Sequence, residues 1–248
     1  MAKAGVVPKA VRGVGMVELL IAMGLSLVIG LAVIEVFLGQ RQLYVAQDEQ
    51  SRMQENARFV FEQISHDLRM VGFWGCSNKV VLTNSTGNAG YNNLADNAVK
   101  LENGALNIKF LDPGSTRSVA MAGTANLDGY SNTVPALVAN CTRAELFMTS
   151  NSMPTGFTTG AQVFQLAGVS YARTDDKKIQ KNGVDLIDNV KTLSFEFGTS
   201  AGDYVTAYEA TPSDWSKVKS VKVTLTLTSQ HAGEQTFRSL IAIRNRLP

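Results

Sequence analysis

Two carboxylates stand where carboxylates are expensive. From Met16 to Leu38 the only ionisable residues are Glu18 and Glu35, one near each end of a run otherwise built of Leu, Ile, Val, Ala, Met, Gly, Ser and Phe. An acid inside the apolar end of a membrane-length helix costs on the order of 2 to 3 kcal/mol, so Glu18 needs a partner. The sequence supplies one if the chain is cut after Gly13. Val14 then begins the chain with an α-ammonium, largely charged at neutral pH, one helical turn from Glu18. Two chemistries are open to this pair. Within one chain the charges neutralise each other. Between chains, Glu18 of one subunit takes the ammonium of its neighbour and fixes the axial register of stacked helices.

The other reactive residue types do not assemble into a catalytic constellation. Glu62 lies one turn before His66 on the polar side of a helix, with no third ligand in the pattern, and His231 falls in a polar turn, so both histidines are expected in solvent. Asp175, Asp176, Asp185 and Asp188 offer hard oxygens, but without the spacing of an EF-hand loop. No nucleophile elbow, phosphate loop or zincin motif occurs. The chain is therefore expected to be no enzyme, with no cofactor and no metal centre. Cys76 and Cys141 both follow the apolar run, in what should be an oxidising compartment. A bridge between them would close a loop of about 65 residues and contribute about 4 kcal/mol on the chain-entropy model. Two free buried thiols are the alternative.

The element that positions Glu18 is a helix able to cross a bilayer, because a rise of about 1.5 Å per residue carries this run through a core of roughly 30 Å. Lys3, Lys9 and Arg12 precede it and no acid does, which leaves the N-terminus in the cytoplasm and sends the bulk of the chain outward. A removable secretory signal has a shorter apolar core that ends at a small-residue cleavage site, whereas here the helical pattern continues. The formal charge of +2 is a leader effect: taking Lys3, Lys9 and Arg12 from the 23 basic residues leaves 20 against 21 acidic ones. Such a balance gives no support to nucleic-acid binding. A length of 248 residues suits one exported domain on a stalk.

Beyond Leu38 the polarity changes and the period does not. Leu43, Ala46, Gln50, Met53, Ala57, Val60, Ile64, Leu68 and Val71 recur at three- and four-residue steps, with charged residues largely between them. One proline-free helix from Val14 to Val71, about 85 to 90 Å long, is the expectation, with Gly72 as its stop. Gly24, Gly30 and Gly39 mark either bends in its membrane half or close packing against other helices. Phe73-Trp74-Gly75-Cys76 reads as a helix terminus with an aromatic plug and a disulfide anchor.

From Ser77 to Asn140 the chain is rich in Asn, Gly, Ser and Thr and reads as an exposed loop region, the outer face of the domain. Short strands are expected within it at Lys79–Thr83, Leu106–Leu111 and Ala136–Ala139. Asn84-Ser85-Thr86 fits a glycosylation sequon but reads as a polar turn. Strands are expected at Arg143–Thr149, Ala161–Tyr171, Thr192–Phe197, Val218–Thr228 and Phe237–Arg244. In the fourth, Val221, Val223, Leu225 and Leu227 point one way and Lys222, Thr224, Thr226 and Thr228 the other, the pattern of a half-buried antiparallel strand. Its apolar face needs a cover, and the stripe from Leu43 to Val71 provides it. The fold class is α+β, a long helix on an antiparallel sheet.

Arg12-Gly13, four residues, then Glu18-Leu19-Leu20 resembles the prepilin motif of type IV pilins and type II secretion pseudopilins, with Val14 where that family usually has Phe or Met. The resemblance implies a pilin-like fold, a dedicated prepilin peptidase that cuts after Gly13 and methylates Val14, and a role for Glu18 in assembly. Arg69–Cys76, Leu186–Gly198 and the ending Ile243-Arg244-Asn245-Arg246-Leu247 resemble segments of PilW-type minor pilins. The divisions implied are a leader at 1–13, a membrane half of the helix at 14–38, an amphipathic half at 39–72 and a β-rich domain at 73–248. The implied function is a minor pilin that helps prime type IV pilus assembly, ending at the pilus tip. Its implied partners are other minor pilins, the major pilin and inner-membrane lipid. Its implied location is the bacterial inner membrane before assembly and the extracellular pilus after. A type II secretion minor pseudopilin, or a tip-exposed adhesin using the Ser77–Asn140 loops, are the alternatives.

Overall fold

The computed structural model describes residues 15–75, 81–119, 125–199 and 207–246. A division between two units falls at Glu49 and Gln50, inside helix α1 (Met16–Met70). In the first unit, α1 runs through Gly24, Gly30 and Gly39 without a break, and open space surrounds the position a Cβ would take at each. Every residue from Gly15 to Tyr44 is exposed. Ser26 turns its hydroxyl back onto the carbonyl of Ala22 at 2.7 Å, so the one hydroxyl in the apolar run needs no water.

The second unit begins with the amphipathic part of α1. Met53, Ala57, Val60, Ile64 and Leu68 are buried, so the expected stripe holds from Met53 onward, whereas Leu43 and Gln50 at its start are exposed; between the buried residues Glu55, Arg58 and Glu62 face water and Asp67 does not. The strands are β1 (Val81–Asn84), β2 (Val99–Glu102), β3 (Ala105–Leu111), β4 (Arg117–Ser118), β5 (Ala136–Ala139), β6 (Arg143–Phe147), β7 (Gln162–Arg173), β8 (Ile179–Lys181), β9 (Val184–Ile187), β10 (Val190–Thr199), β11 (Ala207–Glu209), β12 (Val218–Ser229) and β13 (Gly233–Ala242), and all but the exposed β4 and β11 share one core with the helix. The α+β arrangement of a long helix packed on antiparallel-rich sheet is thus present.

The strands form two sheets where one was expected. The larger follows the order β1-β6-β5-β7-β3-β2, with β4, β8 and β9 attached through β7; the smaller follows β11-β10-β12-β13. In the smaller sheet Val221, Val223, Leu225 and Leu227 are buried and the residues between them half-buried, as alternation requires. Phe195 and Phe197 of β10 extend the same apolar face. Among the described residues the larger sheet contains one parallel pair, β1 with β6, and the other pairs are antiparallel.

The region read as an outer loop is corrected by its packing. Leu94, Ala98, Val99, Leu106, Ile108 and Leu111 are all at most 1% exposed and lie in the main core with the helix. Strand β5 is buried at every residue because its other face is also covered: Val119, Ala136, Val138, Phe147, Met153 and Phe157 make a second apolar cluster, with Leu127 and Tyr130 laid against it. Polar turns here connect core strands. The strand expected at Phe237–Arg244 begins earlier, at Gly233, and ends at Ala242. That expected at Arg143–Thr149 stops at Phe147.

Candidate functional site

Glu18 occupies the first turn of α1, where a carboxylate faces the unsatisfied N–H groups and the positive end of the helix dipole. The first helical bond nearby runs from the N–H of Leu19 to the carbonyl of Gly15 at 3.2 Å. Glu18 is exposed, as are the apolar residues around it. Gly13, Val14 and Cys76 lie outside the described residues. Cys141 sits exposed in the bend between β5 and β6, and no free cysteine occurs among the described residues.

The other end of α1 is tied down by the chain's C-terminal residues. The side-chain amide of Asn245 donates to the carbonyls of Arg69 at 3.2 Å and Val71 at 2.9 Å, satisfying acceptors that a helix end leaves without partners. Gly72 turns the backbone at φ +80°, and a Cβ there would stand 3.2 Å from the Cβ of Asn245. Trp74 then drops into the core, 3% exposed, and Phe73 meets Phe164 edge-on with ring centroids 6.1 Å apart. The expected aromatic plug is therefore in place. Gly75, at φ +104°, passes so close to β5 that a Cβ would come within 2.5 Å of that of Ala139.

Arg246 completes this clasp. One guanidinium nitrogen donates to the carbonyls of Trp215 (2.7 Å) and Val218 (3.3 Å), and the other to those of Ala95 and Asp96 (2.9 Å for the latter). Withdrawal from water lowers its pKa to about 10, partly offset by Asp96 and Asp214, so the group keeps its charge at neutral pH. A fixed fork of N–H donors suits four carbonyls on separate turns better than a lysine ammonium would.

A polar cluster crosses the helix–sheet contact. Asp67, 3% exposed, accepts a hydrogen bond from Tyr171 of β7 at 2.5 Å and pairs with Lys181 of β8 at 2.8 Å on the same oxygen. Its other oxygen lies 3.2 Å from Nδ1 of the exposed His66. Burial, then the hydrogen bond to Asp67 and its charge, raise the pKa of Tyr171 well above the usual phenol range. Lys181 also stands 5.6 Å from the centroid of the Tyr171 ring. The signal for this cluster is legible in the sequence, since Asp67 falls three residues after Ile64 and four before Val71, squarely on the apolar stripe.

Among the described residues no group of three or more His, Cys, Asp or Glu side chains is arranged to hold a metal ion. Of the four aspartates considered for calcium, Asp185 is engaged by Lys178 and by Gln180, the latter at 2.7 Å. Asp175, Asp176 and Lys177 form the turn between β7 and β8, the expected charged hairpin tip. Asn84 accepts from the N–H and hydroxyl of Thr86 at 3.0 and 2.6 Å, a polar turn built from the sequon residues. His66 and His231 are exposed. Comparison of the chain with protein-family models, with curated proteins and with solved structures finds no match.

Proposed function

We propose that this chain is a non-enzymatic assembly subunit, a minor pilin of the PilW type, anchored by α1 in the bacterial inner membrane and built with other minor subunits into the complex that primes a type IV pilus. The observation that carries the proposal is the position of Glu18: an acid in the first turn of α1, at the start of an apolar run that is exposed throughout, five residues beyond Gly13. An exposed greasy helix must be covered by lipid or by other helices, and an acid within it must meet a positive charge. Cleavage after Gly13 creates that charge at Val14. A type II secretion minor pseudopilin would use the same physics in a different machine, and the genes beside this one separate the two.

The globular unit, on this proposal, supplies lateral contacts, while Cys76 and Cys141 form a bond that pins the segment after α1 to the β5–β6 bend. The test is incorporation. The Glu18→Ala chain should be made and inserted normally yet enter fibre-initiating complexes at least tenfold less than the unaltered chain, with Glu35→Ala as the comparison acid. Equal incorporation of Glu18→Ala would remove the proposal.

A further inference from the structure

Strand β13 is the end strand of the smaller sheet and pairs with β12 alone among the described residues. Its hydrogen-bonding phase follows from one contact. Ile243 donates its N–H to the carbonyl of Lys219 at 2.8 Å, in register with the β12–β13 ladder. Antiparallel pairs alternate between bonded and non-bonded positions, so Ile241, Ser239, Phe237 and Gln235 bond inward to β12. The N–H and C=O groups of Glu234, Thr236, Arg238, Leu240 and Ala242 therefore point out along the open edge. Natural edges are blunted by a short length, charged side chains, a bulge, a proline or a covering element. This one is ten residues long, carries no register shift or proline, and its charged residues are Glu234, which Lys191 pairs, and Arg238.

Beside that edge runs a groove between β13 and the Gln54–Arg69 face of α1. Two hollows of about 530 Å³ each lie along it, and they share Ser65 and Ser239. These small side chains face each other where larger ones would close the gap, leaving Ala57, Phe61 and Phe237 as an apolar floor. The walls also carry Arg58, Arg69 and Arg244 against the single acid Glu62, and none of these four makes an ion pair among the described residues. On the sheet's other face Arg238 lies beside Leu240, which is 61% exposed.

We infer that this edge and groove receive an extended, acidic segment of another subunit, added to the smaller sheet as a further strand. Backbone groups of the incoming segment pair with β13, its apolar side chains fill the floor around Phe61 and Phe237, and its carboxylates meet Arg69, Arg244 and Arg238. Strand addition combines main-chain affinity with side-chain selectivity, and the excess of guanidinium over carboxylate sets the sign of that selectivity. The inference gives the proposed assembly subunit a lateral contact, and it rests on that function only for the identity of the partner.

The test uses the full chain in detergent micelles and, as probe, a blocked ten-residue peptide of alternating valine and glutamate. Binding should slow amide hydrogen exchange at Thr236, Arg238 and Leu240. Leu240→Pro removes an N–H that β12 does not use, and should abolish binding while β12 amides keep their protection. The double change Arg69→Glu with Arg244→Glu should weaken binding at least tenfold and carries the test if the proline variant misfolds. Absence of slowing at those amides overturns the inference, as does equal binding of the valine–lysine counterpart. Protection of the same amides without peptide that disappears on dilution also overturns it, because the edge then belongs to a second copy. Processing after Gly13 is read on the N-terminus, so failure of the assembly role and failure of the strand site give different results.

Discussion

Tyr171 gives its phenolic hydrogen to the buried carboxylate of Asp67 at 2.5 Å, joining positions 104 residues apart in the chain. Lys181 reaches the same oxygen at 2.8 Å. A helix whose residues from Gly15 to Tyr44 are exposed is thereby held at its second half by a charged hydrogen bond as well as by apolar packing. Removing one partner of a buried ion pair is strongly destabilising because the other is left unpaired. Asp67→Ala is expected to lower the stability of the globular unit by about 3 kcal/mol. Tyr171→Phe, which leaves the carboxylate its lysine, should cost about 1.5 to 3 kcal/mol. Urea titration of the detergent-solubilised chain, followed through buried Trp74, measures both. A double change no worse than Asp67→Ala alone marks the two as one interaction.

The same pair sets an alkaline limit. The pKa of Tyr171 is raised in the folded chain, chiefly by burial and then by Asp67. The unfolded phenol titrates near 10, so the folded state favours the protonated form. The resulting stability is complete below about pH 10 and is lost as pH rises above that value, because only the unfolded chain then releases the proton readily. Stability measured from pH 8 to 11 should fall at the upper end, and Tyr171→Phe should flatten that fall. An unchanged slope in the variant would assign the alkaline loss to other groups.

Arg246 makes a prediction about geometry more than charge. Arg246→Lys retains a cation but cannot span the carbonyls of Trp215, Val218, Ala95 and Asp96 together. Leaving buried acceptors unsatisfied costs about 1 to 3 kcal/mol. The expected readout is that loss in the urea midpoint, with faster exchange of the 3-10 turns Asp96–Ala98 and Trp215–Lys217 that the guanidinium ties together. An exchange rate unchanged in both turns would contradict the clasp.

Gly75 tests the passage from helix to sheet. Its positive φ disfavours any side chain, and the Cβ of alanine would lie 2.5 Å from that of Ala139, so either the turn or β5 must move. Gly75→Ala should destabilise by about 2 kcal/mol or more, on the scale of forced backbone strain with overpacking. Gly87→Ala, where φ is +75° and nothing lies within 4 Å of the added Cβ, supplies the comparison and should cost less.

Several of these features were legible in the residues and others were not, for identifiable reasons. Long periodic elements announce themselves: the α1 stripe through Met53, Ala57, Val60, Ile64 and Leu68, and the alternation from Val221 to Leu227, have enough repeats to fix period and face. Strands β2, β8 and β9 are three or four residues long, too short for a period to show. Their signal lies in the turns. Asn103-Gly104 and Asn182-Gly183 both hold positive φ at each residue and close two-residue hairpins, the preferred chemistry for such a connection. An Asn- and Gly-rich stretch therefore reads equally as loop and as hairpin, and burial at Val99, Leu106 and Ile108 decides for the hairpin. The parallel pairing of β1 with β6 joins residues such as Val81 and Arg143, and no local pattern encodes a contact of that range. Asn245 and Arg246 act on backbone carbonyls, which no side-chain pattern reveals.

On the proposed function, Glu18 is tolerable in an apolar helix because processing after Gly13 supplies an amine to answer it. The N-terminus of the membrane-extracted protein, sequenced and weighed with and without the processing peptidase in the host, tests this most directly. A methylated Val14 is expected at the start when the peptidase is present and an intact leader when it is absent. A chain that keeps its leader in both hosts, or that is cut beyond Glu18, would contradict it.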